Sequence, residues 1–174
     1  MNRISLIGIL FFSLCGSLCL AQQEVKESTV KAAWFSHFSK FIEWPNINDT
    51  TNAFVIKVLG DDEFEGSLDK IYTTRFIKNK PVLIEYIDER EEIGHCHILY
   101  IATNKRKEIK EILSFVSSMP ILTVSGAVGL GEKGVLINFY SEKNRIGFEF
   151  NLLAAKKNDL EVSFRLLELA RIIK

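Results

Sequence analysis

Residues 97–102, His-Ile-Leu-Tyr-Ile-Ala, form a run in which almost every side chain is apolar. A strand of that kind has no solvent face, so it belongs inside a sheet covered on both sides, the situation of parallel strands joined by helical crossovers. The flanking sequence supplies the rest of such a sheet. Residues 53–59 (AFVIKVL) read as a buried strand closed by Gly60, residues 81–87 as a second and residues 121–125 as a strand entered from Pro120. Between them, Asp61 or Asp62 caps a short helix running to Tyr72, with Glu63 and Glu65 in its first turn, and Asn104 caps a helix over 105–118 whose stripe is Ile109, Ile112, Leu113 and Val116. Ahead of the first strand, Val30, Ala33, Trp34, Phe38, Phe41 and Ile42 recur at helical spacing from Val25 to Trp44, where Pro45 ends the pattern.

The last third changes character. Residues 126–134 (GAVGLGEKG) read as a flexible turn, and 135–140 and 145–150 as strands joined by the hairpin-length connector 141–144. A short helix over 151–159 and a closing helix over 163–174, with Ser163 as N-cap, complete the chain. Alternating strands and helices followed by a hairpin and two helices predict a three-layer α/β sandwich, its mixed sheet parallel at one side and antiparallel at the other.

The first 21 residues are read separately. Arg3 precedes an apolar or small run from Ile4 to Leu20, and Cys19-Leu20-Ala21 places small residues where signal peptidase requires them. Cleavage after Ala21 is expected, leaving one domain over 22–174 exported to the periplasm; a retained anchor is the alternative, since about 17 apolar residues just span a bilayer. Leu14 before Cys15 and Leu18 before Cys19 argue against lipid attachment. Only Cys96 survives processing, so no intrachain disulfide is possible; it is a small buried side chain or a reactive or intermolecular thiol. With 22 basic against 22 acidic residues, the formal charge is zero and no global field attracts nucleic acid.

Motifs that suggest catalysis fail on context. Gly129-Leu130-Gly131-Glu132-Lys133-Gly134 matches G-x-G-x-x-G, but a strand follows where a dinucleotide site needs a helix N-terminus. Ser67-Leu68-Asp69-Lys70 fits S-x-x-K without the accompanying S-D-N or K-T-G. Asp61-Asp62 offers too few oxygens for a calcium or magnesium cage. His95 and His97 can share a strand face, yet the remaining histidine, His37, lies on the first helix. No cofactor, metal or catalytic group is expected, and a secreted hydrolase with an unrecognised site is the rival from another class.

Two features point to binding instead. Trp34, Phe38 and Phe41 fall on the core stripe of the first helix, while Phe35 and Ile42 widen its apolar arc beyond what one sheet face demands. Such a helix is either deeply buried or packed on another subunit through its second flank. In the hairpin, Arg145, Gly147, Glu149 and Asn151 share one face and Ile146, Phe148 and Phe150 the other. The polar set makes either a surface ion pair or a small recognition site.

The segments VKAAWFSHFSKFIEWP, VLGDDEF, GHCHILYIA, ILTVSG, KGVLINFY, RIGFEFNLLAAK and LEVSFRLLELARIIK, in that order, resemble the YfiR family of small secreted bacterial proteins. The resemblance implies an α/β sandwich that tends to dimerise and a periplasmic, non-catalytic repressor of an inner-membrane diguanylate cyclase, limiting cyclic-di-GMP signalling and biofilm formation. Partnership with a sensor histidine kinase, or a role as a solute-binding or envelope accessory protein, are the alternatives. On that reading Trp34, Phe35, Phe38 and Trp44 are candidate partner-binding residues, and the family's ligand-responsive region maps to Arg145, Glu149 and Asn151. Cys96 matches one cysteine of the pairs that some members oxidise, and its mate is missing here.

Overall fold

The computed structural model describes residues 26–45, 52–143 and 145–174; the leader expected over residues 1–21 and most of the polar turn after Pro45 lie outside them. Helix α1 (Glu27–Phe41) leads into strand β1 (Ile42–Glu43), and β2 (Phe54–Leu59), α2 (Ser67–Tyr72), β3 (Phe76–Ile77) and β4 (Lys80–Ile87) follow. Then come β5 (Ile98–Ile101), a 3-10 segment over Thr103–Glu108, α3 (Ile109–Phe115), β6 (Leu122–Ser125), β7 (Ile137–Glu142) and β8 (Arg145–Asn151). The chain finishes through α4 (Leu152–Ala155), β9 (Glu161–Val162), α5 (Phe164–Leu167) and β10 (Arg171–Ile173). Among the described residues, no helix is long and apolar enough to cross a membrane.

Eight strands form one mixed sheet in the order β10-β8-β7-β6-β5-β2-β4-β3. Its centre is parallel, with Ile56 beside Ile84 and Ile98, and Tyr100 beside Val124. The β7–β8 hairpin makes the antiparallel side, pairing Phe139 with Phe148. Strand alternation divides the buried side chains between two cores. Phe54, Ile56, Val58, Tyr100, Phe139, Phe148 and Phe150 pack under α1, while Val55, Leu59, Leu99 and Ile101 face Ile109, Ile112 and Val116 of the α3 side. The expected three-layer sandwich is present, and all four residues of β5 are buried, as the apolar run requires.

Several boundaries depart from expectation. The helix expected from Asn104 begins as the 3-10 segment and becomes α-helical only at Ile109, Asn104 Oδ1 accepting the Asp61 amide at 3.3 Å instead of capping it, and the helix expected from Asp61 or Asp62 starts at Ser67. Helix α1 stops at Phe41, and Ile42-Glu43 pair antiparallel with Val162-Glu161. Pro45 restricts the preceding residue to extended backbone, and the Ser163 amide donates to the Phe41 carbonyl at 2.8 Å, satisfying an acceptor that the ended helix leaves open. The helix expected over 151–159 shrinks to one turn, capped by Asn151. The closing helix is likewise one turn, with the Arg165 amide donating to Ser163 Oγ at 3.4 Å, after which residues 171–173 run parallel to β8. Helical patterning at Ile172-Ile173 yields to ladder bonds on the open edge of β8, which β-branched residues suit.

The 126–134 turn is anchored rather than loose. Leu130 is fully buried in the second core, and Gly131 lies so close to β7, β8 and β10 that a Cβ there would sit 2.7 Å from Ile173 Cδ1 and 2.9 Å from Glu149 Oε2.

Candidate functional site

The aromatic residues of α1 owe their surroundings to two neighbours. The sheet covers one side of the helix, and residues 62–72 cover a second. Asp62 shapes that segment by accepting the Phe64 and Gly66 amides through its two carboxylate oxygens, both at 2.9 Å, so it organises the turn rather than capping α2. The Tyr72 hydroxyl then accepts the Ser36 amide at 2.8 Å and donates to the Ala32 carbonyl at 2.9 Å, bridging the two groups an α-helix would otherwise pair directly. This second cover explains the wide apolar arc.

It also relocates most of the predicted partner surface. Phe35 and Phe38 are 0% exposed, and Trp44 is buried with its indole N–H donating to the His97 carbonyl at 3.0 Å. Phe35 packs edge-on against Phe64 at 5.4 Å, filling the space between helix and sheet. These three rings hold the core together and offer no surface to a partner in this arrangement. Trp34 alone of the four is partly exposed, leaning on Phe38 and Phe148 with His37 edge-on at 4.9 Å.

The hairpin places its polar residues as alternation predicts but does not join them into one cluster. Asn138 of β7 faces Glu149 of β8 across the register and donates to its Oε2 at 3.2 Å. Arg171 of β10 occupies the next position in that row, stacks its guanidinium 4.0 Å from the centre of the Tyr140 ring, and pairs with Glu142 at 3.1 Å. Tyr140 lies flat over Gly147, where any Cβ would overlap the ring. Arg145 sits at the exposed hairpin end, roughly four strand residues or 14 Å along from Glu149, and forms no ion pair among the described residues. The side chain of Asn151 is buried and spoken for: it donates to the Gly131 carbonyl at 2.7 Å and accepts the Ala154 amide at 2.8 Å. Asn151 therefore positions the turn and helix α4. Replacing it with alanine removes a cap and strands a carbonyl, and should lower stability by about 1–3 kcal/mol in a denaturant titration.

The other candidates resolve into structure. Cys96 is buried in the second core, where burial pushes its thiol up to about 12, far from a reactive thiolate. His97 is 2% exposed and accepts the Val55 amide through Nδ1 at 3.0 Å. His95 lies 5.1 Å away, and no group of three metal-ligating side chains occurs among the described residues. Ser67 Oγ meets Thr29 Oγ1 at 3.2 Å on the helix–helix contact.

Residues 28–171 match the family model described as YfiR/HmsC-like. The chain belongs to that family. No curated protein matches it. The family is known for periplasmic regulators of diguanylate cyclases, regulatory rather than catalytic proteins. Within this YfiR-like fold, sequence reasoning missed Asn138, Tyr140 and Arg171. Alternation along β7 pointed to the first two, but the placement of Arg171 depends on a strand that the helical pattern of residues 163–174 concealed.

Proposed function

We propose that the protein is exported and represses an inner-membrane diguanylate cyclase by binding its outward-facing sensory domain, acting by occupancy with no bond made or broken. Membership of the YfiR/HmsC-like family carries this reading. The surface that supports it is the hairpin end, where Arg145 stands exposed beside the Tyr140–Arg171 stack, together with Trp34 on the flank of α1. A module of this kind changes its partner's activity only through unequal affinity for two conformations, and coupling of about 1–3 kcal/mol suffices for reversible control.

The test uses the purified periplasmic domain of a diguanylate cyclase from the same organism and titrates it with the mature chain. Arg145→Ala should weaken binding about tenfold while leaving the melting temperature unchanged, because a charged guanidinium at an interface is worth that much and its exposed side chain supports nothing internal. Absence of association with any cyclase domain, or equal binding by wild type and by Arg145→Ala and Trp34→Ala variants, would sink the assignment. Selective capture of a sensor kinase domain instead would move the regulator to a different class of enzyme.

A further inference from the structure

A recess of about 400 Å³ opens beside the 129–134 turn, between the end of α3 and helix α4. Its volume lies within the range of small-molecule sites. Leu113, Val116 and Leu153 supply an apolar wall, and two exposed lysines, Lys133 and Lys157, line it together with Glu132 and the terminal Lys174. Neither lysine forms an ion pair among the described residues. Deeper in, Thr123 is 1% exposed and its Oγ1 accepts the Leu136 amide at 3.0 Å, which leaves the hydroxyl proton to be donated. Asn158 spends its amide nitrogen on the Ile121 carbonyl at 3.1 Å and keeps one neutral acceptor. Donors and positive charge therefore outweigh acceptors in a pocket with an apolar side.

We propose that this recess binds a small organic anion, a carboxylate or phosphate monoester carried on an apolar body. Lys133 and Lys157 hold the charge, the Thr123 hydroxyl donates to it, and the apolar body lies against Leu113 and Leu153. The site is separate from the exposed residues on which the proposed repression rests, so either reading stands without the other.

Phenyl phosphate, benzoate and benzyl alcohol are the probes, read by calorimetry and by thermal shift on the mature chain. At least one of the two anions should bind with a dissociation constant of about 1 mM or tighter, the range open to so small a ligand, and benzyl alcohol at least tenfold more weakly. The paired variant Lys133→Gln/Lys157→Gln should lose about tenfold or more in affinity, with the unliganded melting temperature unchanged. A Thr123→Val variant should weaken the preferred anion but not benzyl alcohol, and the ratio between the two anions assigns the headgroup. The control pair Lys40→Gln/Lys70→Gln alters exposed amines elsewhere and should bind as wild type. Equal binding of benzyl alcohol, equal loss in the control pair, or no binding by about 10 mM would overturn the assignment.

Discussion

Phe35→Ala should unfold the protein well before wild type, with a loss of about 3–5 kcal/mol, the usual cost of emptying a fully buried phenyl site. For a chain of this size that corresponds to a fall in melting temperature of about 6–20 °C. The ring is closed in by Phe64 and Tyr100, at 5.4 and 6.2 Å between centres, and the latter belongs to the central strand β5. The surroundings are held by hydrogen bonds, including the short one from the Tyr100 hydroxyl to Glu63 at 2.5 Å, and cannot readily collapse into the void. Phe35→Leu should recover most of the loss. A Phe35→Ala protein that melts as wild type yet binds its partner poorly would mean that the ring faces outward and not into the core.

The second large effect is a dependence of stability on pH that His97 creates. Its Nδ1 accepts the Val55 amide, so the neutral ring carries its proton on Nε2, which is buried without a partner among the described residues. Phe54 stacks on the ring at 4.4 Å and Trp44 stands edge-on, while burial, then His95 and Lys80, push the imidazole down from 6.5 to about 4. Between those values the unfolded chain binds a proton that the folded chain refuses. Stability from this group is therefore whole above about pH 6.5, falls as the pH drops through the window, and falls no further below about pH 4. A shift of this size corresponds to about 3 kcal/mol. Urea titrations from pH 7 to pH 4 measure it, and His97→Asn, which keeps an acceptor near Val55, should flatten the slope relative to wild type even if it lowers the baseline. Parallel slopes for the two proteins would show that His97 titrates normally.

Residues whose surroundings come from their own segment were legible in the sequence. The apolar run at β5, the alternation of β8 and the stripe Ile109, Ile112, Leu113 and Val116 emerged with their expected faces, Leu113 only partly buried at the edge of its core. Contacts made by distant segments were not. Nothing local to α1 says that Tyr72 will reach over its flank, so the same wide arc fits a buried helix and an interface equally well. At the end of the chain, Leu166, Leu167 and the two isoleucines keep helical spacing, and only the open edge of β8 decides that residues 171–173 extend. The recess between α3 and α4 has no sequence signature, because Leu113, Thr123, Lys133 and Lys157 come from four separate stretches.

The two-residue ladder between β1 and β9 joins positions 42 and 162, among the longest loop closures in the molecule. Closing so long a loop for so few bonds gives little return until both cores are in place, so this strap forms late. The same arithmetic makes it one of the first places to open. In native-state hydrogen exchange, the amides of Ile42–Glu43 and Glu161–Val162 should therefore lose protection ahead of β5 and β6, reporting a local excursion in which α1 loosens from the final third while the parallel centre stays closed.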